Sequence, residues 1–216
     1  AGLSPDFDAF AACGLFPSAR NLYEHQKNSI LDVALHKKHL VVTTGTGSGK
    51  TECFMLPMIE SLVRESALWS SPNRPRAVRA LLRYPLNALA EDQMVRLQRA
   101  LDSVDTPDGP GARSWLAQHR SDRFYFGRYN GLAPVSGPES SPNKRAELKR
   151  RLSMMDRNWA RAQASAASRR DQATTQDEAR RAEEILNYFQ NPEGSEMWSR
   201  WDMQSHAPDI LITNYS

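Results

Sequence analysis

The sequence predicts an α/β protein: a parallel sheet flanked by helices and interrupted by a charged helical insertion. Three observations carry that expectation. Four short apolar runs, at residues 40–43, 80–84, 124–126 and 210–213, are continuous rather than alternating, as strands buried on both faces are. Apolar residues at helical spacing fill the gaps between the first three. A glycine-rich turn followed by Lys50 and Thr51 stands between the first run and the first long helical pattern.

The first run is Leu40, Val41, Val42 and Thr43. Residues 52–68 follow it with Phe54, Met58 and Leu62 near helical spacing. Residues 80–84 then read as a strand, and residues 86–101 as a helix with Leu89, Met94, Leu97 and Leu101 on one side. Strand, helix, strand, helix implies right-handed βαβ units and parallel pairing. Loops rich in Ser, Pro, Asn and Gly occupy 70–75 and 136–142.

From 143 to 190 the composition turns to Arg, Ala, Gln and Glu, which favours helix. Thr175 and Glu178 have capping-box spacing, and Ala179, Ala182, Ile185, Leu186 and Phe189 follow at helical positions. Two helices are expected, broken between Ala167 and Thr175, with the turn at 191–194 ending the second. Charge is polarised. Residues 144–170 hold nine basic and two acidic residues (+7), and residues 171–202 hold three basic and eight acidic (−5). A hairpin standing off the core is expected, its arms paired to each other through residues such as Glu183 and Glu184. The other reading has Lys149, Arg150, Arg151 and Arg157 on nucleic-acid phosphates.

The whole chain of 216 residues carries 40% hydrophobic and 25% charged residues, enough for a core. Its net charge of +3 permits a polyanionic partner without arguing for one. Cys13 and Cys53 are the only cysteines, which excludes a disulfide framework or a cysteine-based zinc site. No apolar stretch approaches a membrane span, and the first sixteen residues lack the basic start of a signal peptide. A reduced, cytoplasmic location without membrane contact is expected.

The run from Val41 to Thr51 carries the chemistry. Glycines let successive backbone N–H groups turn inward as an anion nest, and the following helix adds its positive end. Lys50 is placed to reach β- and γ-phosphates, and Thr51 to offer its hydroxyl to Mg²⁺; these two are the candidate catalytic residues. Thr46, Gly47, Ser48 and Gly49 complete the cradle, with Thr51 the metal contact. Thr44 stands where the general P-loop pattern has glycine.

That departure, and what surrounds it, resembles superfamily 2 DEAD/DEAH-box helicases. The stretch from Thr44 to Thr51 resembles their motif I. Gln26 lies 24 residues before Lys50. The resemblance makes it an adenine reader, with Tyr23 packing near the base, because one carboxamide both donates and accepts. Residues 84–93 look like motif Ia, 127–131 sit where motif Ib belongs, and 208–216 resemble motif Ic. Nucleic-acid contacts implied by these are Pro85, Asn87, Arg128, Gly131, Thr213 and Asn214. The wording around 84–93 and 124–131 resembles large bacterial helicases of anti-phage defence systems such as Druantia and DISARM.

The resemblance implies the first of two RecA-like P-loop NTPase domains, ATP and Mg²⁺, DNA or RNA as partner, and companion subunits. Residues 1–135 would be the front of that domain, 136–205 the insertion, and 206–216 the return to the domain. No Asp-Glu-x-His or Asp-Glu-Ala-Asp motif occurs; the similar-looking Asp177-Glu178-Ala179 lies in a helical pattern. The stretch alone is therefore expected to be inactive as an ATPase. The competing reading is a non-catalytic NTPase-like scaffold that binds nucleic acid or assembles partners.

Overall fold

The computed structural model describes residues 2–16, 21–45, 47–70, 74–106, 108–131, 133, 135 and 137–214. Its centre is a four-stranded sheet, parallel throughout, in the order β1-β4-β2-β3. The strands are β1 (Ala80–Tyr84), β2 (Phe126–Arg128), β3 (Glu196–Met197) and β4 (Ile210–Asn214). β1 and β4 pair in register from Ala80 opposite Ile210 to Tyr84 opposite Asn214.

The expected helices are present. α3 (Lys50–Ser66) and α4 (Asn87–Leu101) follow α1 (Phe7–Ala12) and α2 (Glu24–Ile30), the last running into one π-helical turn, Leu31–Leu35. α5 is Ala112–His119, and α8, a short helix at Arg200–Ser205, precedes β4. One core joins Phe10, Ile59, Leu62, Leu97, Leu101, Trp115, Phe124, Phe126, Ile210 and Ile212. Phe10 meets Trp115 and Phe124 edge-on, at 5.1 and 5.6 Å between ring centroids, the geometry that aromatic quadrupoles favour.

Two expected strands are corrected. Residues 40–43 form no strand among the described residues. They make no backbone ladder there, and Val41 is 91% exposed. A strand needs a partner for its N–H and C=O groups, and apolar character alone does not supply one. The third strand starts at Phe126, two residues later than its apolar run, because β4 pairs from Ile210 opposite Phe126. Phe124 serves the core instead.

A charge network closes the N-terminal end of the sheet. Buried Asp209, just before β4, binds Arg74, binds Arg79 Nη1 at 2.9 Å and accepts the Tyr125 N–H at 2.8 Å. Arg74 also reaches Asp122 at 2.9 Å and stacks 4.0 Å from the centroid of the Trp69 ring.

The insertion is a long helix α6 (Pro142–Asp171), about 45 Å at 1.5 Å per residue, then α7 (Gln176–Glu184) and a 3₁₀ turn, Ile185–Tyr188. The Thr175–Glu178 capping box forms as expected. The pair does not stand off the core. Ala162, Ala166 and Leu186 bury themselves with Trp159 against Val104, and Gln176 Nε2 donates to Asp108 Oδ1 at 3.1 Å. Nor do the arms pair broadly. Arg170 to Glu183, at 3.1 Å, is the one ion pair between them among the described residues. The long arm's apolar face is what docks, which leaves most of its cations on the far side.

Candidate nucleotide and nucleic-acid site

The phosphate loop is shaped by two glycines. Gly47 (φ 77°) and Gly49 (φ 76°) are left-handed, and Gly49 caps α3. A Cβ on Gly49 would lie 2.2 Å from Gln26 Nε2, so no other residue fits. The α3 N-terminus has no side-chain cap, which leaves its first N–H groups facing the loop.

Lys50 Nζ folds back onto the loop and donates to the carbonyls of Thr44 (2.8 Å) and Gly45 (2.6 Å). Ser48 Oγ bonds the Gly45 carbonyl at 2.8 Å and the Thr44 hydroxyl at 2.6 Å. Thr44, which departs from the general pattern, therefore uses its hydroxyl to brace the loop. The donors suit a polyphosphate: left-handed glycines, an open helix end, and an ammonium held by carbonyls that an anion replaces. Thr51 is half-buried on the first turn of α3. Thr46 lies outside the described residues.

Gln26 is fully buried, and both ends of its carboxamide are committed. Oε1 accepts the Tyr23 N–H at 3.0 Å and closes a capping box on α2, while Nε2 donates to the Gly49 carbonyl at 3.1 Å. In this geometry its carboxamide ties α2 to the phosphate loop through one bond at each end. His25, unremarked in the sequence, makes a second tie: its Nε2 lies 2.8 Å from the Ser48 carbonyl. Tyr23 is 53% exposed and stacks on His25 at 5.6 Å, so its ring is available at the surface.

The second cluster lies at the C-terminal ends of the strands. Asn87 Oδ1 accepts from Asn214 Nδ2 at 2.6 Å and from Asn130 Nδ2 at 3.1 Å. Three amides thus join the start of α4, the loop after β2 and the end of β4. Asn87 Nδ2 makes no hydrogen bond among the described residues, and the first turn of α4 has no side-chain cap. Both are donors for a phosphate. Thr213 Oγ1 donates to the Tyr129 carbonyl at 2.8 Å. Pro85 is exposed beside this cluster. Gly131 is also exposed, and nothing would meet a Cβ there, so its own fold does not demand glycine.

Arg128 pairs with Glu91, a partner the sequence reading did not name. Burial, and then the neighbouring charge of Arg151, pull Arg128 below its ordinary pKa, while Glu196 pulls it back. Glu196 is itself pushed up to about 7, chiefly by burial, with Asp102 adding to the rise; the Gln98 hydrogen bond (2.7 Å) and Arg128 oppose it. The two clusters are linked through Arg96 on α4, 3.7 Å from Glu52 on α3. Asn130, Glu91 and His25 carried no signal beyond their place inside or beside a recognisable motif.

A glycine-shaped loop carrying Lys50 and an amide cluster at the C-terminal ends of the strands, on a parallel sheet flanked by helices, have the arrangement of a P-loop NTPase domain. Residues 23–113 match the DEAD/DEAH box helicase family. The chain is 32% identical over 90% of its length to Druantia protein DruE of Escherichia coli, and covers 12% of that protein. It is also 32% identical over 83 residues, 38% of the chain, to the uncharacterized ATP-dependent helicase YprA of Bacillus subtilis, and covers 10% of it. The chain thus spans about a tenth of the length of these relatives. No solved structure matches it significantly. No helix among the described residues is long and apolar enough to cross a membrane.

Proposed function

We propose that this chain supplies the ATP-binding front of a nucleic-acid helicase or translocase. The observation that carries this reading is the Lys50 ammonium resting on the Thr44 and Gly45 carbonyls of a loop shaped by left-handed Gly47 and Gly49. On binding, Lys50 exchanges the Thr44 and Gly45 carbonyls for β- and γ-phosphate oxygens. The N–H groups of Gly47, Ser48 and Gly49 and the α3 N-terminus hold the remaining charge. Thr51 presents its hydroxyl to Mg²⁺.

The Asn87–Asn130–Asn214 cluster then receives the backbone of DNA, or of RNA, through Asn87 Nδ2 and the first N–H groups of α4. Pro85, Arg128, Gly131 and Thr213 frame that path. Backbone contacts carry no base information, which suits a protein that moves along its substrate. Similarity to the Druantia protein DruE favours a place in an anti-phage defence system of several subunits, and the chain is read as cytoplasmic.

Titration with a fluorescent ATP analogue tests the assignment. Lys50→Ala should weaken binding at least about tenfold, with the melting temperature unchanged, because Lys50 bonds only to the loop. Equal affinity in the variant would overturn it.

A further inference from the structure

The insertion's long helix has two unlike faces. Met155, Trp159, Ala162 and Ala166 turn inward, at spacings of four, three and four residues. The opposite side carries Arg150, Arg157, Arg161, Ala164 and Ser168, all exposed, at spacings of seven, four, three and four. None of the three arginines makes an ion pair among the described residues. The cations that do pair lie elsewhere on the helix: Lys144 and Arg151 share Glu147 at 2.9 and 3.2 Å, and Arg170 holds Glu183. Between Arg150 and Ser168 the outer face has no carboxylate; Asp156, the one acid in that span, projects from the flank.

Position matters as much as charge. α6 starts from the loop that leaves the C-terminal end of β2, where Trp201 Nε1 donates to the Gly137 carbonyl at 2.5 Å. Met155 and Asn158 line one cavity, about 260 Å³, together with Arg128 and Glu91. The arginine stripe therefore runs for about 16 Å, the rise of eleven helical residues, along the back of the part of α6 that lines this cavity.

We infer that the outer face of α6, through Arg150, Arg157 and Arg161, binds the phosphate backbone of nucleic acid outside the motor's own path. Guanidiniums suit phosphate because their planar donors engage two oxygens at once. Ala164 and Ser168 continue the stripe without charge or bulk, so nothing on that face repels the strand. Such a track holds the strand near the motor without reading bases. The inference rests on the helicase reading for its substrate class, but not on ATP.

The test is oligonucleotide binding by the whole chain, followed by fluorescence anisotropy across a salt series without nucleotide. The variants are Arg150→Gln/Arg157→Gln/Arg161→Gln, the corresponding triple Lys substitution, Arg170→Gln, and Asn87→Ala. Losing three phosphate contacts should lower the slope of log K against log salt by about 2 on single strands, at ~0.7 each, and weaken binding roughly tenfold or more at about 0.1 M salt. The Lys triple should keep most of the slope. Arg170→Gln, whose cation already holds Glu183, should keep all of it. An unchanged slope in the Gln triple, with Asn87→Ala still weakened, overturns this inference and leaves the helicase reading standing. No binding by the unaltered chain at low salt overturns both.

Discussion

At the residue scale, Gln26 shows how one side chain changes meaning once its neighbours are known. Its distance from Lys50 matched an adenine reader, and that distance was legible. Its hydrogen bonds were not, because they depend on a capping box with Tyr23 and on the carbonyl of left-handed Gly49. A buried carboxamide with both ends bonded costs about 1–3 kcal/mol when truncated, since its partners are left unsatisfied. Gln26→Ala should therefore loosen the phosphate loop and weaken ATP and GTP by similar factors. Competition binding with the two nucleotides checks this, and a loss confined to ATP would support the adenine role. Lys50, Gly47, Ser48 and Gly49 were readable for the opposite reason: an anion nest is built from local backbone, so a short sequence specifies it.

At the element scale, long elements were legible and short ones were not. The 80–84 strand and the α3 and α4 helices have enough apolar residues to declare a period. β3 has two residues, and its pairing opposite Phe126 and Gly127 is decided by tertiary packing. The insertion's helices and their break were readable from composition and one capping box, whereas their docking through alanines was not, because alanine marks helix and interface alike. β3 also carries a titration. Glu196 is held near 7, against an ordinary value of 4.5, with Gln98 on α4, Asp102 just past its end and Arg128 on β2 facing it. Because the folded pKa is the higher one, the folded state binds the extra proton between about pH 4.5 and 7. Stability is therefore full below that window and falls as pH rises through it. Asp102, also raised by burial, acts in the same direction. Glu196→Gln should match the unaltered protein near pH 4.5, exceed it at about pH 8, and flatten most of the decline. Urea midpoints at both pH values measure this; parallel curves would show that Glu196 does not set the decline.

At the scale of the whole molecule, the two ends of the sheet are built from different chemistry. The C-terminal end holds amides, open helix starts and a loop braced by single hydroxyls, groups able to exchange partners with an anion, beside the Lys50 ammonium and the Arg128–Glu91 pair. The N-terminal end holds Asp209, Arg74, Arg79, Asp122 and Glu65, where charges face charges in a buried setting. Asp209 is the hinge of that network. It binds two arginines and the Tyr125 N–H with its side chain, while its carbonyl accepts from the backbone of Arg79 and Ala80. The sequence placed Asp209 at the head of a motif without any sign that it is structural, since its side-chain partners lie 84 to 135 residues away. Removing its charge leaves Arg74 buried beside Trp69 with one carboxylate fewer, and breaking a buried pair in this way costs about 3–5 kcal/mol. Asp209→Ala should therefore lose that much unfolding free energy, read as a lower urea midpoint, in contrast to Lys50→Ala, which touches only a loop. Asp209→Asn retains an acceptor for Tyr125 and should recover part of the loss. If Asp209→Ala unfolds at the same denaturant concentration as the unaltered protein, the arginines are held by Asp122 and Glu65 alone, and the division between a stabilising end and a binding end fails.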